Sequence, residues 1–331
     1  MKQSKHILID SRWDGDTGIG RMYREIMSRK PVEVKVSEVQ SKMALGHLLS
    51  PLMLAKEIGR SDADLFYSPS FMPPLYGKTP FVFTIHDLMH LFYYTPLHAV
   101  YYRQVIARCA RKAKQLITVS EFSKGQLMEH LGLKEDLITV IYNGISPSFL
   151  SNTEASITER PYFLYVGNRR KNKNVPSMIK AFAAAKIPKD FVFAISGYPD
   201  PELMALITSL DLEKRVQFLG FIPEEALPKC YKGAFATMFV SLMEGFGLPV
   251  LESMASGTPV LTSSASSLPE IAGNAALCVD PLDIDAISSG IEKLVNDKEF
   301  YRQCVDRGKI RAAAYSWNDT AKQTWDLLLE D

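Results

Sequence analysis

Short apolar runs of strand length recur along the whole chain, and most of the stretches between them have the spacing of amphipathic helices. This alternation predicts a parallel, doubly wound sheet, because helices that cross between parallel strands cover both faces of the sheet. Ligands of such sheets bind at the carboxyl ends of the strands, so the loops after the apolar runs are where chemistry is expected. The predicted strands lie at residues 6–10, 65–68, 81–85, 116–120, 138–142, 162–167, 191–196, 216–220, 235–241, 259–262 and 276–279.

The length of the chain predicts two such sheets. A chain of 331 residues suits two domains of about 150 residues each. A polar stretch at 146–161 carries prolines and no periodic apolar signal, which is typical of a linker. We therefore expect one domain over residues 1–150 and a second over 151–315. The last segment, 316–331, has Ser316 and Asn318 as candidate caps and predicts a final helix.

Composition and charge exclude several classes of protein. Apolar residues make up 47% of the chain and charged residues 23%, which is a globular composition rather than a disordered one. The formal net charge of +1 gives no reason to expect a nucleic-acid partner. The first apolar run is short and is interrupted by Asp10, so it predicts neither a signal peptide nor a membrane span. We therefore expect a cytoplasmic protein, and contact with the inner face of the membrane stays open.

A glycine turn at residues 241–252 places two carboxylates, Glu244 and Glu252, on either side of a predicted helix start. The first turn of a helix has backbone N–H groups without partners and a partial positive charge, so it can bind an anion such as a diphosphate. Gly245 and Gly247 allow the backbone to approach a phosphate closely. The turn therefore predicts a site for a ligand with an anionic part and a hydroxylated part.

Two other interpretations of this turn exist. An ordinary strand-to-helix connection would also use Gly-Phe-Gly-Leu-Pro, with Glu252 merely favourable to the helix dipole. A glycosidase would need two carboxyl groups that face one bond. Residues on either side of a helix start point toward different parts of a ligand, so we disfavour a glycosidase.

The turn resembles the E-x7-E motif of the retaining glycosyltransferases of family 4, which have the GT-B fold. The resemblance implies two Rossmann-like domains that face a central cleft, with the acceptor bound by the first domain and the donor by the second. It also implies that the final helix packs back on the first domain. By this resemblance Glu244 contacts the donor sugar, Glu252 binds the nucleotide ribose, and the diphosphate is held by Gly245, Phe246, Gly247 and Leu248.

A basic loop follows the predicted strand at 162–167. It begins after Gly167 and carries Arg169, Arg170 and Lys173. Such cations can neutralise a departing diphosphate, and a solvated basic turn is the alternative. Family members carry an Arg/Lys pair at this point, and the resemblance matches Lys173 to the lysine. For the arginine, Arg169 and Arg170 both remain candidates, and we favour Arg169.

Three loops of the first domain add to the resemblance. A lone histidine such as His86 is more often structural, but family members place one here near the donor sugar, so we expect it to contact the sugar or the transition state. Its role as a general base stays open. Gly18 and Gly20 precede a helix expected near 22–28, and the resemblance places them beside the acceptor and the donor phosphates. Ser120 belongs to a T-V-S-x-x-S signature that faces the cleft in the family, and it also suits a helix cap.

The sequence offers no convincing metal site. An Asp-x-Asp pair, which binds metal in a different glycosyltransferase fold, occurs at three places and is easily produced by chance. No cluster of hard oxygen ligands accompanies it, so we expect no metal and no cofactor, with the nucleotide sugar as a substrate. The pairs are Asp14 with Asp16, Asp62 with Asp64, and Asp283 with Asp285.

The resemblance implies transfer of a hexose from a nucleotide diphosphate sugar with retention at the anomeric carbon. Residues 162–175 and 266–281 resemble bacterial polysaccharide mannosyltransferases, so GDP-mannose is the expected donor and a saccharide or lipid-linked molecule the expected acceptor. UDP-glucose or another nucleotide sugar, an epimerase of the same fold, and a non-catalytic sugar-nucleotide binder stay open. The candidates for direct roles are Glu244, His86, Lys173 and Arg169, and those for donor binding are Gly245, Phe246, Gly247, Leu248, Glu252, Arg170, Gly167, Gly18, Gly20 and Ser120.

A basic aromatic stretch at residues 101–114 has two explanations. It could touch anionic lipid head groups as a peripheral membrane contact, or it could be the solvated face of a core helix. The sequence alone favours the solvated face.

Overall fold

The computed structural model describes residues 5–15, 17–41, 43–45, 47, 49–156 and 158–330. The chain divides into two compact units. Unit 1 comprises Met1–Gly144 and Ser316–Asp331, and unit 2 comprises Ile145–Tyr315. Each unit contains one six-stranded sheet in which all strand pairs are parallel. The predicted α/β class with two doubly wound sheets is confirmed.

The strands of the two sheets are as follows. Unit 1 has β1 (His6–Ile9), β2 (Lys35–Glu38), β3 (Leu65–Ser68), β4 (Phe81–Thr84), β5 (Gln115–Thr118) and β6 (Ile138–Val140), in the order β2-β1-β3-β4-β5-β6. Unit 2 has β7 (Tyr162–Tyr165), β8 (Val192–Ile195), β9 (Val216–Phe218), β10 (Ala236–Phe239), β11 (Val260–Ser263) and β12 (Leu277–Val279), in the order β12-β11-β10-β7-β8-β9.

The α-helices are α1 (Gly18–Met27), α2 (Ser50–Ile58), α3 (Met89–Phe92), α4 (Pro96–Tyr101), α5 (Ala107–Ala110), α6 (Glu121–Leu131), α7 (Pro147–Ser151), α8 (Val175–Ala184), α9 (Pro201–Ser209), α10 (Leu227–Gly233), α11 (Leu248–Ala255), α12 (Leu268–Ala272), α13 (Ile284–Asn296), α14 (Lys298–Ala313) and α15 (Trp317–Leu329). A π-helical turn, Tyr102–Ile106, joins α4 to α5. Short 3-10 turns lie at Ser11–Trp13, Glu135–Leu137, Lys171–Lys173 and Glu224–Ala226.

The strand β2 is the one that the sequence did not predict. Its residues are exposed or half-buried, because it forms the edge of its sheet beside β1. An edge strand of the sequence Lys-Val-Ser-Glu lacks the continuous apolar run that marks a strand buried on both faces. By contrast, the central strands β3, β4, β7, β8 and β10 are buried at every position.

The final helix α15 belongs to unit 1. The hydroxyl of Ser316 caps it by accepting a hydrogen bond from the Asn318 amide at 3.1 Å. The Trp325 indole donates to the carbonyl of Ile26 at the end of α1, at 3.0 Å. The boundary between the units lies after Gly144, slightly before the predicted residue 150, because α7 is part of unit 2.

The strand order reverses once in each sheet, between β1 and β3 in unit 1 and between β7 and β10 in unit 2. At such a reversal the connections leave in opposite directions, so the loops after the two strands open a crevice at the carboxyl edge. The predicted glycine turn follows β10 and the predicted basic loop follows β7, so the fold brings these two segments together.

Candidate functional site

An ion pair forms where β7 and β10 end. The Nζ atom of Lys173 lies 2.7 Å from Oε1 and 2.9 Å from Oε2 of Glu244. The two side chains are only 14% and 8% exposed. The ammonium also lies 5.2 Å from the centre of the Phe239 ring. Because little water reaches this pair, loss of either partner would leave a poorly compensated charge.

The glycine turn that carries Glu244 leads directly into α11. Gly247 is the N-cap with φ 120°, a backbone conformation that favours glycine. A Cβ atom at this position would also lie 2.7 Å from a methyl carbon of Leu268. The helix begins at Leu248, and Pro249 in its first turn has no N–H that would need a partner. The prediction of a glycine turn that opens a helix is therefore confirmed.

Two serines fix the backbone of this turn. The hydroxyl of Ser267 lies 3.0 Å from the carbonyl of Glu244 and 2.8 Å from that of Phe246, and it donates to them. The hydroxyl of Ser266 accepts a hydrogen bond from the Glu244 amide at 3.2 Å. The sequence left the role of this loop open, and the structure shows that it holds the turn in place.

Two asparagines fix the basic loop against the end of β10. The side-chain amide of Asn172 donates to the carbonyl of Met243 at 3.0 Å, and its backbone carbonyl accepts from the Leu242 amide. The side-chain amide of Asn174 donates to the carbonyls of Val240 and Pro281. Sequence reasoning missed both residues. The signal available in the sequence was the alternation of lysine with asparagine at residues 171–174, in which both asparagines are buried.

Arg169 is directed toward the loop after β8. Its Nε atom lies 3.1 Å from a carboxylate oxygen of Asp200, and its other nitrogens donate to the carbonyls of Ser196 and Tyr198. The guanidinium carbon lies 5.5 Å from the centre of the Phe218 ring. Lys173 contacts Glu244, whereas the guanidinium of Arg169 is held by the β8 loop.

Both Glu244 and Arg169 affect the pKa of Tyr165, which lies at the end of β7. Burial raises the pKa of its hydroxyl well above the usual value, Glu244 raises it further, and Arg169 lowers it. The phenol therefore stays protonated and donates to the carbonyl of Asn168. In the same loop, Gly167 and Arg170 are exposed.

Glu252 lies just over a turn into α11 and is buried. One of its oxygens, Oε2, accepts a hydrogen bond from the hydroxyl of Tyr231 at 2.9 Å. Tyr231 lies in α10, and its own carbonyl accepts from the Thr258 hydroxyl. Sequence reasoning missed Tyr231 as the residue that orients this carboxylate.

In unit 1, His86 follows β4 and is largely buried. Its Nε2 atom lies 2.9 Å from the carbonyl of Pro69. A carbonyl can only accept, so Nε2 carries the proton and Nδ1 of the neutral ring is an acceptor. Burial lowers the pKa of His86 to about 4, so the ring is neutral at pH 7.

The T-V-S-x-x-S signature holds the backbone around His86. The hydroxyl of Thr118 donates to the carbonyl of Ile85 at 2.8 Å, and that of Ser123 donates to the carbonyl of His86 at 3.2 Å. The hydroxyl of Ser120 accepts from the Ser123 amide and caps α6. The helix-cap explanation of Ser120 is therefore confirmed.

Gly18 and Gly20 lie inside the first turn of α1 rather than in a loop before it. The hydroxyl of Thr17 caps the helix by accepting from the Gly20 amide at 3.2 Å. The expectation of a helix that starts near residue 22 was wrong, because the cap at Thr17 allows two glycines into the first turn. A Cβ atom on Gly20 would collide with the backbone of Gly15, so the loop folds directly onto this turn.

Four aspartates of the Asp-x-Asp pairs have structural partners, among them Asp14, which pairs with Arg24, and Asp64, which accepts from the His6 amide. Asp62 pairs with His6 and Lys35, and Asp283 caps α13. Asp16 lies outside the described residues. Within the described ranges, no group of three or more His, Cys, Asp or Glu residues could hold a metal ion. The helices that the structure describes include none that is long and apolar enough to cross a membrane.

Comparison with known families decides the identity. Residues 149–311 match the family "Glycosyl transferases group 1", and residues 15–149 match the family "Glycosyltransferase Family 4". The chain belongs to glycosyltransferase family 4. The family 4 resemblance of the sequence is thereby confirmed, and the protein is a glycosyltransferase.

This glycosyltransferase is similar to two curated bacterial proteins. It is 28% identical over 277 residues to O-antigen chain mannosyltransferase B of Escherichia coli, a match that covers 78% of this chain and 72% of that protein. It is 29% identical over 253 residues to O-antigen chain mannosyltransferase RfbU of Salmonella typhimurium, which covers 75% and 69%.

Solved structures show that the glycosyltransferase has the GT-B fold. The Anabaena protein HepE, crystallised with UDP and glucose, is 18% identical with a TM-score of 0.79, and the match covers 98% of this chain and 99% of HepE.

Proposed function

We propose that this glycosyltransferase transfers a mannosyl residue from GDP-mannose to a saccharide or lipid-linked acceptor, with retention at the anomeric carbon. The observation that carries the proposal is the Lys173–Glu244 pair at the glycine turn that opens α11. The choice of mannose is supported by the two similar O-antigen chain mannosyltransferases.

Unit 2 offers preorganised hydrogen-bond donors that can stabilise the negative charge developing on the leaving diphosphate. The ammonium of Lys173 has three N–H groups, and two oxygens of Glu244 leave one N–H for a phosphate oxygen. The first turn of α11 adds backbone amides and the positive end of the helix dipole. N–H groups that are already in place need little reorganisation during the reaction, so they stabilise the transition state.

The two glutamates contact the two other polar parts of the nucleotide sugar, which are the sugar ring and the ribose. Lys173 fixes the carboxylate of Glu244, which then accepts hydrogen bonds from hydroxyl groups of the donor sugar. In α11, the Tyr231 hydroxyl donates to one carboxylate oxygen of Glu252 and orients it, and we assign this carboxylate to the ribose. Arg170 of the basic loop is exposed and adds positive charge for the nucleotide. Arg169 pairs with Asp200 and would have to leave that carboxylate to contact the nucleotide.

His86 acts in this proposal as an acceptor and not as a base. A pKa of about 4 makes its ring a weak base at pH 7. Its Nε2 proton is engaged by the carbonyl of Pro69, so Nδ1 accepts a hydroxyl of the donor sugar. We assign retention to attack by the acceptor hydroxyl on the face from which the diphosphate departs, within an ion pair, and the hydroxyl proton passes to the departing diphosphate.

Nucleotide release from a panel of donor sugars tests the proposal. We expect GDP-mannose to be turned over in the presence of acceptor, and in EDTA as well, because protein groups supply the positive charge. Lys173→Ala and Glu244→Ala should each abolish most of this turnover. Lys322→Ala, which removes an exposed lysine paired with Asp326, is the matched control and should not change it.

Each other outcome has a distinct meaning. Turnover of only UDP-glucose or another nucleotide sugar would show that GDP-mannose is not the donor, while glycosyl transfer itself would still stand. A donor that is converted without acceptor would indicate an epimerase, and binding without any release would indicate a non-catalytic protein. Unchanged rates in both Ala variants would overturn the proposed site.

A further inference from the structure

A dense group of exposed apolar side chains lies in unit 1 just after β4. Between residues 92 and 100, five large side chains are 37% to 64% exposed. Single exposed apolar residues are normal on a protein surface, but a contiguous group marks an interaction surface. The five are Phe92, Tyr93, Tyr94, Leu97 and Val100.

Two of these aromatic rings are held firmly on one side. The ring of Tyr94 stacks on that of His90, with centres 4.4 Å apart and planes at 22°. The ring of Phe92 meets that of His130 of α6 edge to face, at 5.1 Å. The ring of Tyr94 also lies 5.5 Å from that of His98, and Tyr94 and Phe92 are still 37% and 47% exposed. Rings that are already ordered lose little conformational entropy when their open side is buried.

The helical segment from α4 to α5 continues this surface and becomes basic. Its outer face has residues spaced by three or four, which is the spacing of one helix face. Along this face Leu97 and Val100 come first, then Gln104, and then Arg108 and Arg111. The opposite face is buried, so the exposed face grades from apolar at its start to cationic at its end.

The whole segment lacks negative charge. The sequence contains no Asp or Glu from Leu88 to Ser120. Five Lys and Arg residues lie in that stretch, although the net charge of the chain is only +1. The side chains of Arg111 and Lys114 donate to the carbonyls of Leu131 and Glu330. The remaining three, Arg103, Arg108 and Lys112, are exposed.

We propose that this surface, residues 92–112, docks on an anionic lipid bilayer. Aromatic and aliphatic side chains would enter the boundary between head groups and acyl chains, while the arginines contact lipid phosphates. The sequence alone favoured a solvated face for residues 101–114. The exposed apolar residues at 92–100, which precede this stretch, favour contact with a bilayer. Apolar side chains suit the acyl layer, and the cations that follow them suit the head-group layer. The inference does not depend on the identity of the donor or the acceptor.

Vesicle flotation of the full chain tests the inference. Phosphatidylcholine vesicles with and without phosphatidylglycerol separate anionic from neutral lipid. We expect binding to the anionic vesicles, weaker binding at high salt because salt screens the cations, and little binding to neutral vesicles.

Paired variants separate the two halves of the surface. The double variant Arg103→Glu/Arg108→Glu should lower the partition coefficient roughly twentyfold or more, at about fivefold for each cation removed. Leu97→Asp should lower it roughly tenfold through lost apolar burial. Helix α14 of unit 2 supplies matched controls: Arg302→Glu/Arg307→Glu has the same spacing, and Ile310 is 75% exposed. These α14 variants, including Ile310→Asp, should bind like the unmodified protein.

Thermal melting establishes that each variant is folded before its binding is read. Absence of binding by the unmodified protein would overturn the inference, and so would equal binding to neutral vesicles. Equal losses in the α14 controls would show a general charge effect and would also overturn it. Binding that survives in both surface variants would assign the contact to another part of the chain.

Discussion

The two sheets share one topology but differ in the contact that joins their loops where the strand order reverses. In unit 2 the loops after β7 and β10 join through the ion pair of Lys173 and Glu244. In unit 1 the loops after β1 and β3 join through an aromatic contact between Trp13 and Phe71, whose ring centres are 5.5 Å apart. The loop after β1 also contains charges, but Arg12 and Asp10 of that loop pair with each other. An ion pair therefore joins the two loops in unit 2, whereas aromatic rings join them in unit 1.

This difference indicates which class of ligand suits each unit. A charged pair at the start of a helix suits an anionic diphosphate. The aromatic faces of Trp13 and Phe71 suit a neutral, hydroxylated molecule, because the charge of the neighbouring Arg12 is already compensated by Asp10. The topology fixes where a ligand binds, and the side chains after the strands decide what it is.

The largest expected effect comes from the charged pair of unit 2. Lys173→Met and Glu244→Gln should each lower kcat/KM by about 10² to 10³, the usual loss when one preorganised group at a developing charge is removed. The double variant should lose much less than the product of the two, because the pair acts as a unit. Steady-state nucleotide release measures all three variants. Simple multiplication of the losses would show that the two residues work separately.

The next effect concerns the backbone of the glycine turn. Gly247→Ala should destabilise unit 2 by about 2 kcal/mol, because alanine is strained at a positive φ and its Cβ would crowd Leu268. Gly125→Ala, in the middle of α6 with open space around it, should stabilise the protein by up to about 1 kcal/mol. Urea unfolding measures both free energies. A neutral Gly247→Ala would contradict the tight turn.

Sequence and structure agree best where the signal is local. The buried strands, the glycine turn and the capping serines Ser120 and Ser316 are read from runs of a few neighbouring residues. The strand β2 was not predicted because an edge strand need not be apolar. The start of α1 was placed too late because two glycines in the first turn do not indicate a helix.

The supporting contacts of the site could not be read from the sequence. Asn172 and Met243 are in contact although 71 residues separate them, and Ser267 reaches Glu244 across 23 residues. Which serine or asparagine among many becomes buried depends on the strand order, and no local pattern reports it. Spacing left Arg169 and Arg170 both open, with Arg169 favoured, and only the fold shows that Asp200 pairs with Arg169.

The buried, neutral His86 of unit 1 predicts that stability depends on pH. Burial lowers the pKa of His86 from 6.5 to about 4, so the unfolded chain binds the proton more tightly than the folded one. The stability that this group contributes is therefore complete above about pH 6.5 and is lost as the pH falls toward 4. The loss should be at most about 2 kcal/mol after allowance for partial exposure.

Urea unfolding between pH 7 and pH 4 checks this effect. His86→Gln should flatten the dependence, whereas His98→Gln, which removes an exposed histidine, should leave it as steep as in the unmodified protein. An equally steep dependence in His86→Gln would assign the titration to another group.

The smallest effect concerns the residues that support the charged pair. Ser267→Ala removes the hydroxyl that bonds two carbonyls of the turn and should cost about 1 kcal/mol of stability. We expect kcat to fall more than the affinity for donor, because the turn stays in place but is less rigid. Ser209→Ala, an exposed helix serine, is the control. Equal kinetics in both variants would show that the turn does not need this support.

The central claim is that Lys173 and the first turn of α11 receive the leaving diphosphate. A crystal structure with the nucleoside diphosphate that the release assay selects tests it most directly. The account predicts diphosphate oxygens within hydrogen-bond distance of the Lys173 ammonium and of the amides of Gly245 to Leu248. A nucleotide bound at any other edge of either sheet, with the Lys173–Glu244 pair untouched, would contradict it.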